Sequence, residues 1–266
     1  LVSRCAGWLA GLQHPEWLKN WLIHVFVRHF RVDMTEAANP DPTSYASFNA
    51  FFTRPLREDA RSLAEADMGC PADGAISQLG TVQGGRIFQA KGQSFSAWEL
   101  LGGDSERAEH FANGRFVTIY LAPRDYHRVH MPVSGKLLRT VHVPGRLFSV
   151  SPATVRNVSN LFARNERLVS IFETQHGPVA LVLVGAMLVS SIQTVWAGMV
   201  TPPYGRKVTH GDWSRRDIVL QRGQEMGRFN MGSTVIVVLP PGAISSLEDL
   251  GPDDVVQMGQ KLGRLR

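Results

Sequence analysis

Cysteine is almost missing from this chain of 266 residues: Cys5 and Cys70 are the only two. That excludes a disulfide framework and any Cys-x-x-Cys metal or redox pair, and leaves two thiols read as buried or incidental, suited to a reducing compartment. Lysine is nearly as sparse, at Lys19, Lys91, Lys136, Lys207 and Lys261, so the net charge of +5 rests on arginine. The arginines are scattered, with short groups at Arg164/Arg167 and Arg215/Arg216, and no nucleic-acid module is present. The basic excess therefore points to an anionic membrane surface rather than nucleic acid. The hydrolase elbow Gly-x-Ser-x-Gly and a phosphate loop ending in Gly-Lys-Ser/Thr are both absent. His127-x-x-His130 lacks the glutamate and third ligand of a zinc site, so no metal is expected.

One stretch, 179–200, is long and free of charge. Glycine and polar residues interrupt it, Val and Ile are frequent and Pro202-Pro203 follows, so two buried strands are expected rather than a spanning helix. A composition of 44% hydrophobic and 19% charged residues is that of a folded globular protein.

From residue 16 to 31, apolar residues recur at Trp17/Leu18, Trp21/Leu22, Val25/Phe26 and Phe30, one face of a helix. Lys19, Asn20, His24, Arg28 and Arg31 fall on the other side, the composition of an interfacial helix or of one packed on its own core. Residues 44–57 predict a second short helix, stopped near Pro55. Beyond about residue 68, β-branched runs punctuated by glycine and proline predict strands at 116–121, 137–143, 168–173, 179–189, 191–196 and 234–239, with helical turns near 97–101 and 107–112. The expected architecture is α+β: N-terminal helices over 1–57, then a β-rich core of mainly antiparallel sheets over 58–266.

Three polar spots stand out. Gly232-Ser233-Thr234 lies at the mouth of the apolar run 235–239; Asp73-Gly74 occupies a turn leading into a strand; His127 and His130 follow the strand 116–121. Each alone reads as ordinary turn chemistry. Together they supply an acid, a base and a hydroxyl. A serine held against the preceding carbonyl can attack it, and glycine before the serine permits the backbone strain this needs.

At these residues the chain resembles the phosphatidylserine decarboxylases. The likeness is carried by 71–74, Ala90-Lys91-Gly92, 125–132, 160–167, 195–198 and 223–227, in order over about residues 32–240, and is closest to the short, membrane-associated bacterial form. Met231 stands where that family usually has leucine, a swap that preserves volume and polarity. The resemblance implies self-cleavage between Gly232 and Ser233 into fragments 1–232 and 233–266 that stay associated, with Ser233 becoming a covalent pyruvoyl cofactor. It implies Asp73, His130 and Ser233 as the processing triad, and His127 as a second active-site histidine, read here as the candidate proton donor. The implied reaction converts phosphatidylserine to phosphatidylethanolamine and carbon dioxide, with a homodimer peripheral to the cytoplasmic face of the inner membrane. Two other readings stay open: a pyruvoyl decarboxylase of a soluble amino acid, and a non-enzymatic membrane-binding β domain.

Overall fold

The computed structural model describes residues 9–90, 92–187, 191–201, 205–230, 233–247 and 249–266. At its centre lies the strand Ser233–Leu239, paired antiparallel with Arg115–Leu121 on one side and Gly177–Gly185 on the other. Successive side chains of a strand point to opposite faces. Val235, Val237 and Leu239 accordingly join one core cluster, and Ile236 and Val238 another. Because both faces are covered, the strand reads as an unbroken apolar run rather than an alternating one.

This strand belongs to a nine-stranded antiparallel sheet. Beyond Gly177–Gly185 come Arg167–Thr174 and Gly135–Val143, which pairs with both Thr209–Asp212 and Val219–Leu220; beyond Arg115–Leu121 come Gly74–Thr81 and Val255–Val256. A four-stranded sheet of Gly198–Thr201, Ser191–Thr194, Glu225–Asn230 and Arg128–His130 adds Ile192, Met226, Phe229 and Val129 to the first cluster. The uncharged stretch 179–200 is indeed strand, but in three described pieces rather than two. Ser191–Thr194 turns back at Gly198, whose φ of 66° lies in the left-handed region, and pairs with Gly198–Thr201; residues 188–190 lie outside the described part. With 18% helix against 40% strand, the α+β reading with a β-rich core holds.

The first helix spans Glu16–Phe30. Ile23 is fully buried, and Leu22, Phe26, Val27 and Phe30 pack against a cluster containing Tyr45, Phe48, Phe51 and Phe52. Trp17, Trp21 and Val25 face outward. Lys19 does not join the outer basic flank expected for it: its ammonium is buried, donating to the carbonyls of Thr43 (3.0 Å) and Tyr45 (2.6 Å). The helix expected over 44–57 is also shorter. A 3₁₀ turn occupies Pro42–Ser44, and Ser47 starts a separate helix, Phe48–Phe52, by accepting from the Ala50 N–H. Serine competes with the helix for backbone donors, so it caps here rather than continuing the turn before it. Among the described residues no helix is long and apolar enough to cross a membrane.

Candidate active site

Four segments converge beside the start of the central strand. The His130 N–H donates to the Pro71 carbonyl, which brings the Asp73 turn against the strand Arg128–His130. The Phe229 N–H donates to the His127 carbonyl, which ties the same loop to the strand leading toward Ser233. Gly74 explains the Asp-Gly turn sterically: a Cβ there would stand 2.3 Å from the Tyr120 carbonyl oxygen, so Asp73 can be held this close to the Arg115–Leu121 strand only if glycine follows it.

Asp73 is 7% exposed. Its carboxylate accepts from Arg61 through Nε (3.1 Å) and Nη2, and from the Met258 N–H (2.8 Å). Arg61 also donates to both carboxylate oxygens of Glu36, at 2.8 and 2.7 Å, and so links Asp73 to the N-terminal region. His130 is held at both ring nitrogens. Nδ1 lies 2.7 Å from the Gly223 carbonyl and must carry the proton there, so Nε2 accepts from the Tyr126 hydroxyl at 2.9 Å. Burial pushes its pKa down from the ordinary histidine value.

His127 is fully buried. Nδ1 donates to the Asp125 carbonyl at 2.8 Å, the Phe52 ring lies 4.1 Å away centroid to centroid, and Nε2 has no partner. Burial pushes its pKa down to about 3, so in this arrangement the ring is neutral and Nε2 is an open acceptor. Desolvation outweighs the Asp125 hydrogen bond, which pulls the other way. Ser233 is fully buried too, and its Oγ is without a partner. By alternation along its strand it shares the face of Val235 and Val237, the side on which Val129 and Phe229 pack. Gly232, on the other side of the proposed cut, lies outside the described residues.

Asp73, His130 and Ser233 therefore sit on neighbouring segments, but each of the first two is hydrogen-bonded elsewhere. Sequence reading passed over Arg54, Arg61 and Tyr126. Tyr126 stood inside the quoted motif 125–132, and Arg54 stood out as a charge beside the aromatic run 48–52. Volume alone would have misled: a cleft of about 400 Å³ lined by Asp104, Arg107, Arg139 and Glu173 contains none of these groups.

Residues 48–264 match the family model described as phosphatidylserine decarboxylase. The chain belongs to the phosphatidylserine decarboxylase family. Residues 1–31 match a second model, described as PSD. Phosphatidylserine decarboxylase proenzymes of Stutzerimonas stutzeri and Bordetella pertussis are each 57% identical to it, over 99% and 98% of this chain and 90% and 89% of their own lengths. That of Methylococcus capsulatus is 54% identical over 100% of this chain and 92% of its own length. The likeness to phosphatidylserine decarboxylases thus runs through the helical front as well as the β core.

Proposed function

We propose that this chain decarboxylates phosphatidylserine to phosphatidylethanolamine, after cutting itself between Gly232 and Ser233. The observation that carries the reading is Ser233 itself: a buried hydroxyl without a hydrogen bond, on the first residue of the central strand of a phosphatidylserine decarboxylase family member. A buried hydroxyl held by no other group is free to attack the carbonyl that precedes it.

In processing, Ser233 Oγ attacks the Gly232 carbonyl carbon, and the acyl group moves from nitrogen to oxygen. Elimination of that ester frees the Gly232 carboxylate, and hydrolysis with loss of ammonia leaves a pyruvoyl end. For His130 to take the Ser233 proton, its Nε2 must exchange the Tyr126 hydroxyl for Ser233 Oγ. Asp73, whose charge raises the His130 pKa, would support the charged imidazole. The position of Ser233 suits the group derived from it: fully buried, at the start of the central strand. That pyruvoyl carbonyl, once formed, supplies the electron sink that decarboxylation of an amino acid needs. His127 can return a proton to Cα only after acquiring one, which its burial disfavours; an anionic substrate brings the counter-charge that would favour it.

The lipid side of the reading rests on the first helix. Trp17, Trp21 and Val25 are exposed together with His24, Arg28 and His29, and an apolar recess of about 250 Å³ opens between Leu22, Val25, Phe26, Phe30 and Phe48. This surface supports peripheral association with an anionic leaflet, which we take to be the cytoplasmic face of the inner membrane. Removing residues 1–31 would also uncover Phe48, Phe51 and Phe52, so Trp17→Glu with Trp21→Glu is the cleaner test. That pair should release the protein from phosphatidylserine vesicles, and retention at unchanged affinity would defeat the membrane claim.

Mass spectrometry across residues 232–233 and carbon dioxide release from phosphatidylserine vesicles test the whole reading. An uncut chain with no release would overturn it. Cleavage followed by turnover of free serine but not of lipid would favour a soluble-substrate enzyme.

A further inference from the structure

Among the described residues the two most deeply buried arginines, Arg167 and Arg54, are 2% and 3% exposed, and they are treated very differently. Arg167 donates to the carbonyls of Glu99, Leu100, Ala163 and Asn165, so each nitrogen of its guanidinium has an acceptor. Arg54 has only one. Its Nη2 donates to the Arg124 carbonyl at 3.3 Å, its guanidinium carbon lies 5.4 Å from the Phe51 ring centroid, and Nε and Nη1 are buried without partners.

The nearby carboxylates do not fill the gap. Glu36 and Asp73 are both taken by Arg61, and Asp125 accepts from the Ala122 N–H. Burial pulls the Arg54 pKa below its ordinary value, against the opposing pull of Tyr45, Glu36, Asp73 and Asp125. A buried cation short of hydrogen bonds is costly unless an anion completes it. Its location says which anion. Arg54 follows the helix Phe48–Phe52, whose Phe48 lines the apolar recess and whose Phe52 packs on His127, and its charge is felt at the His127 ring.

We propose that Arg54 is the receptor for the phosphodiester of the lipid substrate, with Nε and Nη1 donating to its two non-bridging oxygens. The assignment rests on the functional reading above. Along this path, recess, Arg54 and His127 follow the order of the substrate: acyl chains, phosphate, serine. The other anion of the substrate, the α-carboxylate, is the poorer match. It loses its charge as carbon dioxide leaves, so an arginine clamped on it would stabilise the ground state and slow the reaction, whereas the phosphodiester keeps its charge throughout. The planar guanidinium fork suits a phosphodiester better than an ammonium would.

The probe is a pair of short-chain lipids with a hydroxyethyl headgroup, free of amine and carboxylate, one with a phosphodiester linkage and the other with a neutral carbonate in its place. Their affinities for the self-cleaved protein are measured by calorimetry, alongside kcat and KM for short-chain phosphatidylserine per cleaved chain. The unsubstituted protein should prefer the phosphodiester by about a hundredfold, and Arg54→Leu should abolish that preference and raise KM by a similar factor with a much smaller change in kcat. Absence of the preference in the unsubstituted protein, or its survival in Arg54→Leu, overturns the assignment; so does a fall in kcat at constant KM. If Arg54→Leu does not fold, Arg54→Lys carries the test, keeping the charge without the fork: about a tenfold loss of preference is expected, and none refutes the proposal. Failure of the unsubstituted protein to decarboxylate phosphatidylserine at all would instead sink the functional reading.

Discussion

The segment 160–167 and the Arg54–His127–Ser233 region are both polar and both buried, yet they keep opposite accounts of their hydrogen bonds. In the first, Asn165 accepts from the Phe148 N–H and donates to the carbonyls of Phe148 and Gly185, His142 meets Glu166 at 3.0 Å, and Arg167 is saturated by four carbonyls. In the second, Arg54 Nε and Nη1, His127 Nε2 and Ser233 Oγ are all unpaired. A saturated buried network fixes one arrangement of the chain; an unsaturated one holds its donors and acceptors for something that arrives later or for a step not yet taken. Both regions fall within the span that matches the family, and packing separates their roles.

The largest break in that comparison comes from Ser233→Ala. It should leave a single full-length band on a denaturing gel and no detectable decarboxylation, since both the cut and the group derived from it need that hydroxyl; two bands would refute the site. Next is Arg167→Met, which takes the guanidinium away from the carbonyls of Glu99, Leu100, Ala163 and Asn165. Made in the uncleavable Ser233→Ala chain, it should lower unfolding stability by about 3–5 kcal/mol in a denaturant titration. A loss below about 1 kcal/mol would mean that saturation at 160–167 is not structural.

The pH dependence sharpens the comparison further. The His127 pKa lies near 3 in the folded protein against an ordinary value of 6.5. Between these values the unfolded chain binds a proton that the folded chain refuses. Stability should therefore fall as pH drops from about 6.5 toward 3, with up to one proton of slope from this ring. His127→Gln should remove that part of the acid limb while leaving the share due to His130; an unchanged slope would show that His127 is more hydrated than its packing indicates. The smallest effect belongs to Ser170, whose hydroxyl is also unpaired but lies two strands away, in Arg167–Thr174. Ser170→Ala should shift stability by less than about 1 kcal/mol and leave cleavage and turnover unchanged. Impaired cleavage would extend the active region well beyond its present bounds.

Much of this was legible in the residues alone. The central strand announced itself because burial on both faces requires an unbroken Val/Ile/Leu run, and Asp73, His127, His130 and Ser233 were conspicuous as polar groups set into turn and strand motifs. Illegible were groups whose meaning depends on partners distant in sequence. Lys19 fell on the polar side of a helical wheel, which has no knowledge of two carbonyls at Thr43 and Tyr45. Arg61 joins Glu36 to Asp73 across segments that no local pattern connects. The 160–167 motif looked as functional as any other until its hydrogen bonds were traced.

The strand that opens with Ser233 lies in mid-sheet, bonded along both sides. A cut before residue 233 would release no flap and expose no ragged edge, because the new end begins between two neighbours that keep holding it. The later part of the chain is woven in again where Lys261–Leu265 pairs with Met68–Gly69 and Val255–Val256 pairs with Gly74–Thr81. Two polypeptides would then behave as one body, inseparable by dilution and parted only by denaturant. The break in the backbone would change its chemistry and leave its architecture standing.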